Sequence, residues 1–147
     1  MTCNLILVPQ DKATEMWPAV LPLVAQMVQR SGGEITTDGA LAAVTAGELQ
    51  LWLIWDDETR RTVAGALTSI GVTGSGMRLC TVYGLVGEHR QQWLHLLEEF
   101  ERWAILKGCH KVKVIARKGW AKELPDYTMT HVTLEKRLAD VANEEAA

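Results

Sequence analysis

Three stretches in the middle of the chain, residues 49–55, 62–70 and 77–86, are rich in β-branched, aromatic and leucine side chains. They are separated only by Asp56-Asp57-Glu58-Thr59 and by Thr73-Gly74-Ser75-Gly76. Connections this short leave no room for a crossover, so the three stretches are expected to pair as an antiparallel meander. The pattern then changes. From Gly87 onward, Trp93, Leu96, Leu97, Phe100, Trp103 and Ala104 recur at helical spacing until Gly108, and residues 111–117 read as a strand again. A strand, a helix and a strand of these lengths make a right-handed parallel crossover. The chain is thereby confined to a mixed α/β sheet, an antiparallel meander with one parallel β-α-β unit appended and helices on both faces.

The flanking segments extend this frame. Residues 4–8 form a short apolar strand, after which Asp11 or Thr14 can cap a helix whose buried face is Trp17, Val20, Leu21, Val24, Met27 and Val28. Pro18 suits a first turn, whereas Pro22 is expected to kink or restart the helix before Ser31-Gly32-Gly33 ends it. Thr37 or Asp38 caps a second helix that runs to Val44 and stops by Gly47. Beyond residue 117 the pattern predicts a short helix at 119–124 and a last strand at 128–138. At 147 residues and 48% hydrophobic content, the chain is expected to form one domain over residues 1–139 with a polar tail at 140–147.

Charge narrows the function classes. Fifteen Lys and Arg against eighteen Asp and Glu give a net charge of -3, so nothing draws the whole molecule to nucleic acid or an anionic membrane. A basic site must be local, and residues 102–122 supply one: Arg102, Lys107, Lys111, Lys113, Arg117, Lys118 and Lys122 with no acid among them. Alternation puts Lys111, Lys113 and Arg117 on one strand face, without the interleaved aromatics that would favour nucleic acid. Cys3, Cys80 and Cys109 are too scattered for a zinc ribbon or a disulfide framework and read as buried thiols in a reducing compartment. The four histidines lack metal-ligand spacing, so no metal is expected. With no membrane-length apolar run, the chain is expected to be cytoplasmic.

The strand at residues 79–86, the helix LLEEFERWAILKGC, the strand KVKVIAR and the closing THVTLEKRL together resemble the GNAT family of N-acetyltransferases. Most similar are the short GNAT-like proteins of tailed bacteriophages and prophages. The resemblance implies an acetyl-CoA site where the strand feeds the helix, involving Val86, Gly87, Arg90, Gln91, Gln92 and Trp93. It also implies a tyrosine acid on the last short helix, a position that falls near Lys122, while Tyr127 aligns with the aromatic after the turn; Tyr83, on a strand, reads either as a further candidate site residue or as a packed core aromatic. The family's loop reads Q/R-x-x-G-x-G/A, because glycines let bare N–H groups approach two phosphates. Here Glu88, Gln91 and Trp93 stand at those positions. A carboxylate repels pyrophosphate, and the indole is expected to fill the volume that phosphates need.

Two functions follow from the resemblance. In the first, the chain is a non-catalytic virion-associated or assembly protein without cofactor, binding phage structural proteins or another copy of itself. It would do so through Trp55, Trp93, Lys111, Lys113, Arg117, Lys118 and Trp120, in the host cytoplasm or packaged in a virion. In the second, it is an acyl-CoA-dependent N-acetyltransferase with an atypical loop.

Overall fold

The computed structural model describes residues 1–138, and the predicted tail at 140–147 lies outside them. Five strands form one sheet in the order β1-β2-β3-β4-β5. They are β1 (Cys3–Leu7), β2 (Gln50–Asp56), β3 (Arg61–Val72), β4 (Arg78–Gly87) and β5 (Lys111–Val114). The first four pair antiparallel and β5 joins β4 in parallel, which is the mixed sheet predicted from the sequence.

Helix α1 (Ala13–Gln29) and helix α2 (Thr37–Thr45) cover one face. There Trp17, Val20, Val24 and Met27 meet Leu51, Leu53, Leu67 and Val86. The second face carries Trp52, Ala66, Cys80 and Val82 under Phe100 and Ala104 of the crossover helix. Trp52 lies edge-on to both Phe100 and Trp103, at centroid distances of 5.1 and 4.8 Å, and such pairs add roughly 0.5–1.5 kcal/mol each beyond burial. On β2, Leu51 and Leu53 face one core while Trp52 faces the other, as a two-residue period requires.

Several boundaries differ from expectation for identifiable reasons. Helix α1 runs unbroken through Pro22. Pro18 and Pro22 are both exposed, one turn apart, so the carbonyls they leave without helical partners face solvent and can bond to water. Neither Asp11 nor Thr14 caps this helix, because a 3₁₀ turn at Gln10–Lys12 leads into it. Leu21 is 39% exposed, outside the buried stripe. The cap of α2 is Thr36, whose Oγ1 accepts from the Gly39 N–H at 3.0 Å.

The crossover helix is interrupted. It opens as one turn, α3 (Arg90–Trp93), passes through a 3₁₀ turn at Leu94–Leu96 and resumes as α4 (Leu97–Leu106). β5 ends at Val114, short of the predicted 117. The predicted last strand at 128–138 is no strand: those residues are wholly exposed and pair with none of the described strands. The chain divides into two compact units, one through Arg117 and one from Lys118. The second contains α5 (Trp120–Glu123), with Trp120 and Leu124 buried.

Candidate functional site

The β4–β5 ladder begins at Leu79↔Lys111 and ends at Val82↔Val114, with Ile115 N–H donating to the Val82 carbonyl at 2.9 Å. β4 runs on to Gly87, and among the described strands none pairs with that side of it. The two parallel strands therefore fork, leaving the backbone of residues 83–87 without a strand partner on one edge.

A bulge marks the fork. Leu67 pairs with Tyr83 and Gly65 with Val86, so Ala66 faces two residues, Gly84 and Leu85. Gly84 takes φ +58, and a Cβ there would lie 2.8 Å from the Met27 carbonyl oxygen at the C-terminal end of α1. Only glycine fits both the conformation and the space. The bulge also resets the alternation: Cys80 and Val82 face the α4 core, Tyr83 the α1 core, and beyond Gly84 it is the odd-numbered Leu85 that faces α4. At the strand's end, Gly87 packs so closely on Ala64 that any side chain would overlap it.

The loop after Gly87 is built differently from the glycine pattern. His89 sits in the left-handed region at φ 58, directly before the helical Arg90. A left-handed residue next to a right-handed one turns successive N–H groups toward a common point, an anion nest. Glu88 N–H is used by the Val63 carbonyl and Gln92 N–H by the His89 carbonyl. Among the described residues, the N–H groups of His89 and Gln91 have no partner. Histidine, with asparagine and aspartate, is among the non-glycine residues enriched in this conformation, which is the signal that glycine spacing alone misses.

Trp93 is placed otherwise than the sequence suggests. It is 6% exposed rather than a surface ring, and its Nε1 donates to the Glu88 carbonyl at 2.7 Å. The indole is thus packed inside, bracing the loop, and is no candidate for contact with a partner. Val86 is buried as well, whereas Gln91 and Gln92 are exposed. The Glu88 carboxylate points to solvent, 3.9 Å from the His89 imidazole.

The remaining predicted residues scatter. Tyr83 stands at the fork, half-buried, its Oη accepting from Ser69 Oγ at 3.2 Å. Tyr127 is half-buried in the second unit, its N–H donating to the Leu124 carbonyl. Trp55 is half-buried with Nε1 on Asp57 Oδ1 at 3.1 Å, and Trp120 is buried. Lys111, Lys113, Arg117 and Lys118 are exposed, and among the described residues none of the four forms an ion pair. Because β5 stops at Val114, Arg117 is not held on the lysine face.

Cys80 is buried, and that burial, with Cys109 nearby, pushes its thiol up to about 11, so it stays protonated at neutral pH and is no nucleophile. His110 accepts the Arg78 N–H at Nδ1, 3.2 Å. Asp56 organises the β2–β3 turn: its carboxylate accepts from the N–H groups of Thr2, Glu58 and Thr59 and from the Thr59 hydroxyl. Among the described residues no cluster of three or more His, Cys, Asp or Glu side chains could hold a metal ion, and no helix is long and apolar enough to cross a membrane.

No protein-family model and no curated protein matches the sequence. Solved structures do match the fold. An aminoglycoside acetyltransferase from an uncultured soil metagenomic sample superposes with a TM-score of 0.66 at 13% identity, over 92% of this chain and 96% of that one. A predicted acetyltransferase with acetyl-CoA from Clostridium acetobutylicum gives 0.61 at 13% identity, over 96% and 98%. A GNAT family acetyltransferase from Staphylococcus aureus gives 0.61 at 11% identity, over 94% and 100%. With its forked parallel strands, bulged β4 and interrupted crossover helix, the chain has the fold of the GNAT acetyltransferases.

Proposed function

We propose that this chain is an acyl-CoA-dependent N-acetyltransferase whose pyrophosphate loop turns on a left-handed histidine, His89, without the family's glycines. The observation that carries this reading is the combination of an open β4 edge with two unpartnered N–H groups, on His89 and Gln91, at the end of that edge. Donors fixed by backbone geometry suit a diphosphate, whose charge they meet without reorganising. The solved structures of this fold bear acetyltransferase names, one of them with acetyl-CoA.

Bound acyl-CoA would supply an activated thioester for attack by a substrate amine. The chain's residues would do the rest. The β4 edge at residues 83–87 can hold an extended amide chain by main-chain hydrogen bonds, as a further strand would be held. Tyr83 Oη, which accepts from Ser69, keeps its own proton and can give it to a leaving thiolate at the fork.

Titration with acetyl-CoA tests the reading. A ligand at 100 times its dissociation constant adds about 2.7 kcal/mol of stability, so millimolar acetyl-CoA should raise the melting temperature. Gln91→Glu, an exposed and nearly isosteric change that sets a carboxylate at the nest, should weaken binding about tenfold. No stabilisation of the unaltered chain by acetyl-CoA would end the enzyme reading.

A second reading is supported by the loop's departures. Glu88 adds a negative charge beside the nest, and α3 gives it the dipole of only one turn. On that reading the chain is a non-catalytic, virion-associated or assembly protein of the phage GNAT-like group, meeting acidic surfaces through Lys111 and Lys113. Its mark would be co-sedimentation with particles and no response to acetyl-CoA.

A further inference from the structure

We propose that the acceptor amine of this chain carries an anionic group, a carboxylate or a phosphate ester, held by Thr81 and Lys113 beside Tyr83. This rests on the acetyltransferase reading and names the class of amine that its site takes.

The strand registers set the residues in rows. Ser69 of β3 pairs with Thr81 of β4, and Thr81 pairs with Lys113 of β5. Paired residues send their side chains to the same face. That face is the one carrying α1, because Cys80, Val82, Val112 and Val114, which flank the row along the strands, belong to the α4 core. Two hydroxyls and an ammonium thus stand side by side on strands about 4.8 Å apart. On this face the apolar core along β3 and β4 stops at Leu67 and Tyr83, one position short of the row.

Three features open the row to a ligand. Thr81 is only 5% exposed, yet its hydroxyl takes part in none of the side-chain hydrogen bonds among the described residues. No side-chain oxygen among those residues is both sealed from solvent and without a partner, so this one opens on a gap. A hydroxyl so placed gains from a ligand that supplies the missing bond. Gly71, two residues beyond Ser69 on the same face, has room above it: a Cβ there would meet nothing within 4 Å. Lys113 is exposed and pairs with no carboxylate among the described residues. An ammonium and a free hydroxyl both donate, so the group that suits them is an anion.

The row also reaches the reacting end. Ser69 gives its proton to Tyr83 Oη at 3.2 Å, which ties the row to the phenol and leaves the anion to Thr81 and Lys113. Thr81 and Tyr83 are two residues apart on β4, about 7 Å along an extended strand. An amine and an anion separated by about five bonds span that distance. A polycationic amine would instead meet the charge of Lys113. Lys111 offers an internal comparison: it carries the same charge on the same face, but its row contains Leu79 and Gly71 and no hydroxyl.

Amide shifts in NMR titrations test the assignment. 5-Aminopentanoate and 3-aminopropyl phosphate should each move the amides of Ser69, Thr81, Tyr83 and Lys113. They should do so at concentrations about tenfold below those of 5-aminopentan-1-ol and 3-aminopropan-1-ol, which lack the anion. The tighter of the two charged amines identifies carboxylate or phosphate as the group recognised, and with acetyl-CoA it should be the amine acetylated faster. Lys113→Gln should abolish the preference for charge, whereas Lys111→Gln should erode it by about twofold or less, as a screened neighbour does. Thr81→Val keeps the shape and should weaken both charged amines several-fold. Equal binding of charged and neutral amines, or equal losses from the two lysine substitutions, would overturn the proposal whatever acetyl-CoA does. Charge-selective binding by a chain that acetyl-CoA fails to stabilise would remove the acceptor role and the acetyltransferase reading together.

Discussion

Trp93 and Glu88 are joined through a 2.7 Å hydrogen bond from the indole to a main-chain carbonyl, which ties the single turn of α3 to the loop that leaves β4. The ring is nearly absent from the surface, so it supports the loop from within. Trp93→Phe keeps a ring and loses the donor. It should lower unfolding free energy by about 1 kcal/mol in a denaturant titration. It should also weaken acetyl-CoA binding several-fold, since the nest loses its brace. Removing the bulk altogether with Trp93→Gly should make binding worse, and tighter binding would mean the indole blocks the site after all.

Gly84→Ala tests the bulge. The new methyl would meet the Met27 carbonyl at 2.8 Å and Met27 Cβ at 2.9 Å, on a backbone at φ +58. Left-handed strain and overlap together should cost roughly 2 kcal/mol or more. Thermal unfolding measures it, and Gly119→Ala, where a Cβ meets nothing within 4 Å, serves as the control.

Thr68 links two partners inside the sheet. Its hydroxyl accepts from Trp52 Nε1 at 3.0 Å and donates to Gln50 Oε1 at 2.8 Å. Thr68→Val keeps the shape but strands a buried indole N–H, which should cost about 1–3 kcal/mol. Thr68→Ser should recover most of that loss.

Asp56 sets a pH dependence. The Thr59 hydroxyl, then the N–H groups of Thr59, Glu58 and Thr2, favour its ionised form against burial and hold its carboxyl down at about 2, below the ordinary 3.8. In the unfolded chain the group takes up its proton first as pH falls, so the unfolded state binds more protons across this window. The stabilisation is complete above about pH 4 and drains away toward pH 2. Urea midpoints measured across that range should fall, and Asp56→Asn should flatten the slope while lowering stability at neutral pH.

How far the sequence reaches is seen best along β4. The meander, the crossover and the family likeness were legible because alternating and helical periods are local properties, and Leu79, Val82 and Val86 stand where they were expected. The split of the crossover helix at Trp93 was not, because a buried indole pulling on its own loop is a tertiary effect. The loop's anion geometry was hidden for a related reason: glycine spacing reports one solution to a left-handed turn, and His89 is another. The segment at 128–138 does alternate like a strand, but alternation is a local property and a strand also needs a neighbour to bond to, which is a tertiary one. Pro22 misled because its helix turns both prolines to water.

The interruption at Leu94–Leu96 has a mechanical meaning. Phe100 and Ala104 fasten α4 to the sheet, while Trp93 fastens the turn before it. Rebuilding residues 88–92 therefore disturbs little beyond one turn, and the recognition end of this scaffold is free to drift in composition while its foundation keeps its shape.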